Sequence, residues 1–354
     1  MSMSVVMLLV MVVLLLIGYP MMMPLLAAAV VGFTVYFPAI SLEQLVQQMI
    51  GGVTPSSLVA IPMFIFAADI ITRGRSADRL IYLVMRFVGH FHGGLAIAVT
   101  SACALFGAVC GSTQATVVAV GGATRPRMLQ EGYRDDFTMA LIVNAADLAY
   151  LIPPSIGMIV YGVLSGTSIA ELFIAGIGPG ILIVICFSIW CRIVAKRQGI
   201  QPTARASWAE RMQAFRRALW PLGFPAVIIG GIYGGIFSPT EAASVCVAYA
   251  AILEVFIFRS IKLRVLGELA LSTGVMTAIV FILIAVGAAF SWIISFGQVP
   301  QAIIAAVGLD GAGPVKVLIA INVAFFIGCM FVDSIVVMLI LIPIFSPLVA
   351  GAHL

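Results

Sequence analysis

Charged residues are scarce in this chain. Aspartate, glutamate, lysine and arginine together make up 9% of its 354 residues, against about 25% in ordinary soluble domains. Hydrophobic residues make up 63%, and the mean hydropathy is +1.21. Such a chain has too little polar surface for a soluble domain, so we expect a polytopic protein of the lipid bilayer. Its net charge of +4 therefore concerns orientation in the membrane and predicts no nucleic acid partner.

Histidine is rarer still, and its positions argue against an enzyme. The three histidines, His90, His92 and His353, lie in loops or at the end of the sequence. An intramembrane serine protease needs a histidine within a span, a metalloprotease needs an HExxH motif, and an aspartyl protease needs paired aspartates. No histidine lies within a predicted span, there is no HExxH motif, and neither Asp69 nor Asp147 offers a paired-aspartate motif. The six cysteines lack metal-ligand spacing. We expect a protein that is not an enzyme.

A long apolar run between Leu95 and Thr124 contains a polar, glycine-rich centre. The residues of this centre are Gly111, Ser112, Thr113, Gln114 and Thr116. In one straight spanning helix they would expose poorly satisfied backbone to lipid, which is costly. Two apolar arms that enter and leave on one side would instead bring this centre to mid-depth as a tip. Irregular backbone is tolerated there when it lines a cavity.

The distribution of basic residues supports this hairpin. Seventeen of the eighteen lysines and arginines lie in the four connections 73–92, 125–134, 192–217 and 259–264. Positive charge marks cytoplasmic loops. Because two of these connections flank the first interrupted run, that run must begin and end on the same side. The sequence thus predicts a re-entrant helical hairpin.

A second long apolar stretch, 137–165, is interrupted by Pro153 and Pro154. Consecutive prolines remove two backbone donors and restrict the preceding residue, so the helix must open here. Asn144 and Asp147 precede the break and Ser155 follows it. An ionisable residue within a span is a functional candidate by default.

A second hairpin is predicted near the end of the chain, where Gly328, Asp333 and Ser334 interrupt the run 315–349. Gly107 and Gly328 lie 221 positions apart, as do Pro126 and Pro347. The nearly uncharged stretch 298–313 is expected to be a loop on the outer side, so the second hairpin would enter from the opposite face. The predicted fold class is an all-α polytopic membrane protein with inverted repeats, two re-entrant helical hairpins and a proline-broken transmembrane helix.

Four linked motifs give the chain a family resemblance. They are FGAVCGSTQATVVAVG, LIPPSIGMIVYG, LFIAGIGPGIL and YGGIFSPTEAA, beginning at residues 106, 151, 172 and 233. The chain resembles the large membrane subunit of tripartite ATP-independent periplasmic (TRAP) transporters over essentially its whole length. The resemblance implies a sodium-driven importer of organic acids, such as C4-dicarboxylates or sialic acids, in the bacterial inner membrane. It also implies a periplasmic binding protein and a small four-helix membrane subunit as partners, and an elevator movement of the hairpin-bearing part.

The resemblance suggests four parts of the chain. Residues 1–93 and 166–268 are expected to form scaffold helices, the latter with a basic interfacial segment at 196–217. Residues 94–165 are expected to form the transport domain, and 269–354 the second repeat. Two departures stand out: the family's paired tip serines are replaced by Ser112-Thr113, and the chain reaches Leu354 without the second proline-broken span. The latter suggests a truncated or degenerate copy.

The expected coupling ion is Na⁺, which prefers uncharged oxygen ligands from unwound backbone, hydroxyls and amides. The candidate residues for sodium or substrate binding come from both hairpin tips and the break. They are Gly111, Ser112, Thr113, Asn144, Asp147, Pro153, Pro154, Ser155, Gly328, Asp333 and Ser334.

Other polar residues receive weaker or structural assignments. Arg125 and Arg127 are weak candidates for binding a small organic anion, with cytoplasmic anchoring as the favoured interpretation. Pro239, Thr240 and Glu241 are expected to start a helix and cap it. Asp69 lies one turn before Arg73, which predicts an ion pair at a helix end.

Alternative functions remain open from the sequence. One is a sodium- or proton-coupled anion carrier of related fold that works without a binding protein. A channel is disfavoured, since two opposed tips fit alternating access better. A non-transporting copy is the third alternative.

Overall fold

The structure is a computed structural model that describes residues 2–202, 204–309 and 311–352. His353 and Leu354, which figure in the sequence analysis, lie outside the described residues. The described chain is helical throughout and contains no β-strand. Its α-helices are α1 Met3–Ile17, α2 Met22–Tyr36, α3 Leu42–Val53, α4 Ala60–Arg73, α5 Ser76–Val88, α6 Gly94–Cys110, α7 Thr113–Gln130, α8 Asp135–Ala146, α9 Ile156–Ser165, α10 Ile169–Arg197, α11 Trp208–Tyr233, α12 Pro239–Ala251, α13 Leu263–Phe296, α14 Val299–Val307, α15 Pro314–Cys329 and α16 Ser334–Gly351.

Several helical segments are long and apolar enough to cross a membrane. Within the described residues they are Ser56–Arg73, Ile169–Arg197, Pro239–Ile257, Leu263–Phe296 and Ser334–Gly351. Five such segments, together with further apolar helices of 10–17 residues, indicate a multi-pass membrane protein. The predicted class is thus confirmed at this level, whereas re-entrance of the hairpins stays a prediction.

The chain packs as two compact units. The first comprises the described residues of Met1–Leu58, Val163–Gly166 and Met276–Leu354, and the second comprises Val59–Gly162 and Thr167–Val275. In the first unit, α1, α2 and the later turns of α13 share a core around Phe33, Ala289 and Ile293. Close helix approach explains two small residues: a Cβ on Gly32 would lie 2.8 Å from Met7 Sδ, and one on Gly287 2.4 Å from Leu339 Cδ2.

Helix α6 lies at the centre of the second unit. It packs against α5, α7, α8 and α10, and most of its residues are buried. Its sequence, GLAIAVTSACALFGAVC, is apolar or small all round, which suits a helix surrounded by protein. Around it, α4 packs on α12 and α11 packs on α5.

A buried carboxylate holds the corner between α4 and α5. Glu254 lies in a π-helical turn, Ile252–Ile257, and is fully buried. Its side chain accepts hydrogen bonds from the backbone N–H groups of Arg75 and Ser76, each at 3.0 Å, and from the Ser260 hydroxyl. A Cβ on Gly74 would lie 2.1 Å from Glu254 Cδ, so glycine makes room for the carboxylate.

Two segments differ from the sequence prediction. The stretch 298–313 was expected to be a loop, but it contains α14, which has a proline in its first turn and ends at Gly308 with φ 69°. Both features favour a short helix. The basic segment 196–217 does not end as a helix of its own, because the helix that begins at Trp208 continues through Pro221 and Pro225 as α11. A capping box at Ser207 and Glu210 begins that helix.

Candidate functional site

The first hairpin has a tip of two residues. Helix α6 ends at Cys110, Gly111 adopts the left-handed conformation with φ 59°, and Ser112 is extended before α7 begins. The Ser112 hydroxyl accepts a hydrogen bond from Ala115 N–H at 3.4 Å, and Thr116 Oγ1 donates to the Ser112 carbonyl at 2.8 Å. Helices α6 and α7 also pack against each other. The polar centre of the run is therefore a capped turn between two helical arms.

This tip packs directly on the proline break. A Cβ on Gly111 would lie 2.3 Å from the carbonyl oxygen of Pro154. The Gly111 carbonyl accepts a hydrogen bond from Ile156 N–H at 3.4 Å. One turn earlier, a Cβ on Gly107 would lie 2.7 Å from Ala149 Cα. Glycine at both positions thus allows backbone of the hairpin to approach backbone of the broken helix.

The break itself has the predicted form. Helix α8 ends at Ala146, a 3-10 turn spans Asp147–Tyr150, and the chain is non-helical until α9 begins at Ile156. Pro153 and Pro154 occupy this opening. Ser155 is fully buried, and its hydroxyl accepts a hydrogen bond from Met158 N–H at 3.2 Å. The helix opens at the prolines as expected, and Ser155 starts the next one.

Thr113 and Asp147 meet beside the tip. The Thr113 hydroxyl is buried, and no described residue lies at standard hydrogen-bonding distance and angle from it. It does interact with the Asp147 carboxyl group nearby. Asp147 is exposed, as is Asn144, whose Nδ2 donates to the Ala140 carbonyl at 2.7 Å. The structure therefore places the Thr113 hydroxyl and the Asp147 carboxylate near the non-helical backbone of the break at 151–155.

Such oxygens suit a hard, weakly charged cation. Within the described residues no group of three or more histidine, cysteine, aspartate or glutamate side chains could hold a metal ion.

Asp69 has a partner that the sequence did not reveal. Its Oδ2 accepts a hydrogen bond of 2.7 Å from the hydroxyl of Thr273, a buried residue of α13. Arg73 acts on Asp69 only through its charge and forms no ion pair with it among the described residues. The predicted Asp69–Arg73 pair is therefore wrong, because the polar side chain that approaches Asp69 lies 204 positions away in sequence. Asp69 also acts electrostatically on Cys110, next to the tip.

The second hairpin tip belongs to the first unit. Helix α15 ends at Cys329 and α16 begins at Ser334. Asp333 Oδ1 accepts a hydrogen bond of 2.9 Å from Ile335 N–H. A Cβ on Gly328 would lie 3.0 Å from Val337 Cγ1, so the two arms pack closely there. Asp333 thus satisfies a backbone amide of the second hairpin.

Arg125 and Arg127 lie far along α7 from the tip. At 1.5 Å per residue, 12–14 positions separate them from Thr113 by about 20 Å. Arg125 forms a two-pronged contact with Asp135, at 3.0 and 2.9 Å, which holds the pKa of Asp135 below its usual value. Arg127 Nε donates to Glu131 at 3.3 Å. Both contacts favour the anchoring interpretation over substrate binding.

The motif around Pro239 forms a helix start. Ser238 and Glu241 make a capping box at the beginning of α12, with Pro239 in its first turn. Ser238 N–H donates to Glu241 Oε2 at 2.7 Å, and the hydroxyls of Ser238 and Thr240 are 3.1 Å apart. These residues therefore lie at a capped helix start.

The helical hairpins and the proline-opened helix indicate a class of membrane protein. An all-helical membrane protein with two helical hairpins, each with a small polar tip, and a proline-opened helix against one tip has the elements of a secondary transporter. Comparison with known proteins specifies the family. Residues 8–354 match the family described as "Tripartite ATP-independent periplasmic transporter, DctM component", and the chain belongs to this family of TRAP transporter large permeases.

Two relatives with high identity are large permeases of ectoine TRAP transporters. The chain is 62% identical to the ectoine/5-hydroxyectoine large permease UehC of Ruegeria pomeroyi, over 97% of this chain and 81% of that protein. It is 60% identical to the ectoine large permease TeaC of Halomonas elongata, over 96% and 80%. A C4-dicarboxylate large permease of Pseudomonas aeruginosa is 38% identical, over 82% and 68%.

Proposed function

We propose that this chain is the large permease of a sodium-coupled TRAP transporter that imports ectoine or a close relative across the bacterial inner membrane. This substrate is supported by the difference in sequence identity between ectoine permeases and permeases for other substrates. Identity is 62% and 60% to the two ectoine permeases, but 38% to a C4-dicarboxylate permease and 30% to a sialic acid permease. Ectoine therefore takes the place of the organic acids that the family resemblance alone suggested.

The charges of the site agree with an ectoine-type substrate. Ectoine is a small zwitterion whose carboxylate is balanced by its own cationic ring, so it needs no uncompensated arginine for neutralisation. Arg125 and Arg127 lie about 20 Å along α7 from the tip, too far away to neutralise a substrate bound there. Backbone N–H groups at helix starts bind a carboxylate without a full positive charge. The start of α7 at Thr113 and the start of α9 at Ile156 are two such positions close to each other.

We infer sodium coupling from the contact between the first hairpin tip and the break, which is the observation that carries the proposal. The Thr113 hydroxyl and the Asp147 carboxylate beside it offer two oxygen ligands. Unwound backbone at 151–155 adds carbonyl oxygens. A Na⁺ ion bound there would join hairpin to broken helix, so that both move as one body in an elevator step. A periplasmic binding protein and a small membrane subunit complete the transporter.

The test is uptake by the whole transporter in proteoliposomes. The chain, its small subunit and its binding protein are reconstituted, and uptake of labelled ectoine is measured with an inward Na⁺ gradient or with K⁺ in its place. We expect at least about tenfold faster uptake with Na⁺ and with the binding protein. Faster uptake of a C4-dicarboxylate than of ectoine would contradict the substrate, and equal uptake in K⁺ would contradict the coupling. Counterflow of labelled substrate distinguishes a carrier from a channel.

A further inference from the structure

A basic cavity in the second unit is not used by the proposed transport site. It has a volume of about 250 Å³, smaller than the roughly 300–1,000 Å³ of drug-sized ligand sites. Its walls come from α5 and the turn after it, from the end of α7, and from the segment before α11. The polar residues that line it are Asp78, Tyr82, Arg86, His90 and Arg127.

Arg86 and Arg127 in the cavity wall have guanidinium N–H groups available for a bound ligand. Arg86 lies 3.7 Å from Glu210, which is beyond hydrogen-bond length, and Arg127 contacts Glu131 through Nε. A guanidinium carries five N–H donors, so most of those on Arg86 and Arg127 are left for another acceptor. Among the described residues that line the cavity, Asp78 is the one carboxylate.

Arg211 adds a third positive charge next to the wall. It is 9% exposed, its Nη2 lies 3.4 Å from His90 Nδ1, and its Nε has no hydrogen bond to any described residue. Desolvation, and then the charges of Arg211 and Arg205, lower the pKa of His90. The Nε of Arg211, buried without a hydrogen bond to any described residue, is a donor that an anion bound in the cavity would satisfy.

We propose that this cavity binds the phosphate group of an anionic phospholipid headgroup. Arginine forks match phosphate oxygens in geometry and charge. The adjoining helix α11 exposes Trp208, Phe215 and Trp220 between arginines, a composition typical of helices at the membrane–water boundary. Basic pockets on the positively charged side of membrane proteins bind such headgroups. A bound headgroup would connect α5, the end of the hairpin arm α7 and the approach to α11.

The experiment measures lipid binding to the full chain in detergent, by native mass spectrometry and thermal unfolding. Phosphatidylglycerol, phosphatidylcholine and inorganic phosphate are compared on the wild type, on Arg86→Gln/Arg127→Gln and on a control, Arg134→Gln. Arg134 is an exposed arginine paired with Asp136 and does not line the cavity. Arg86→Gln alone, at a half-exposed side chain, serves if the double variant does not fold.

We expect phosphatidylglycerol to bind wild type and control alike, and the double variant at least about tenfold more weakly. Competition by inorganic phosphate supports the phosphate site, and protection by phosphate equal to that by the lipid would assign the site to a soluble phosphate. Equal binding of phosphatidylcholine and phosphatidylglycerol, or unchanged lipid affinity in both arginine variants, overturns the proposal.

Discussion

Ser112 and Asp333 occupy the same place in the two hairpins. Each is the residue before the second helical arm, and each accepts a hydrogen bond from a backbone N–H of that arm's first turn, that of Ala115 for Ser112 and that of Ile335 for Asp333. They lie 221 positions apart, and the arms that they cap, α7 and α16, both have 18 residues. The offset suggested by paired glycines and prolines therefore also relates the helix starts and ends.

Gly111→Ala is expected to damage the contact between tip and break. A side chain at φ 59° costs about 1–2 kcal/mol, and its Cβ would meet the Pro154 carbonyl at 2.3 Å, where backbone must shift. Transport should fall by more than tenfold, and thermal unfolding in detergent should begin at lower temperature. Reconstituted uptake and unfolding scans measure the two effects.

Gly122→Ala is the matched control for this change. Gly122 lies within α7, and a Cβ there would have no atom within 4 Å. Alanine in a helix interior is roughly 0.5–1 kcal/mol more favourable than glycine, so stability should stay level or rise. If both alanine variants behave alike, the close approach at Gly111 has no importance for the hairpin.

The sequence predicted the local features of the site and missed its long-range contacts. The turn at Gly111-Ser112 and the opening at Pro153-Pro154 follow from backbone rules that act within a few residues. The hydrogen bond between Asp69 and Thr273 joins positions 204 apart, and no periodic pattern marks it. The role of Glu254 could not be predicted from the sequence either. Its partners are the backbone N–H groups of Arg75 and Ser76, and almost every residue in a sequence has such a group.

Removal of the Glu254 carboxylate should destabilise the corner before α5. Glu254→Ala leaves the N–H groups of Arg75 and Ser76 without their acceptor, at about 1–3 kcal/mol for each unsatisfied group. Glu241→Ala, in the same helix, removes an exposed capping contact worth about 1 kcal/mol. Thermal unfolding of both variants should show the larger decrease for Glu254→Ala, and the reverse order would contradict the anchoring role.

Thr273→Val and Thr277→Val test the polar contact of Asp69. Valine at 273 removes the donor that Asp69 Oδ2 accepts at 2.7 Å, and a hydrogen bond to a charged group contributes about 1.5–3 kcal/mol. The Thr277 hydroxyl is buried without a hydrogen bond to any described residue, so its loss should leave stability unchanged or slightly higher. The two substituted positions lie one helical turn apart on α13. The unfolding midpoint of Thr273→Val should be lower than that of Thr277→Val. Equal midpoints would show that the Asp69 contact contributes nothing.

Thr113→Val should weaken sodium dependence, whereas Thr124→Val should not. Both threonines lie on α7, but the Thr124 hydroxyl donates to its own helix at the Val120 carbonyl, 2.6 Å away, while Thr113 adjoins Asp147 at the tip. Loss of one oxygen ligand should raise the Na⁺ concentration for half-maximal uptake by about tenfold. That concentration is obtained from ectoine uptake over a series of Na⁺ concentrations at constant ionic strength. A structural role for Thr113 would instead lower the maximal rate in both cations and leave the half-maximal Na⁺ concentration unchanged. Since valine keeps the shape of threonine, a selective change in sodium dependence would place the ion at the hydroxyl.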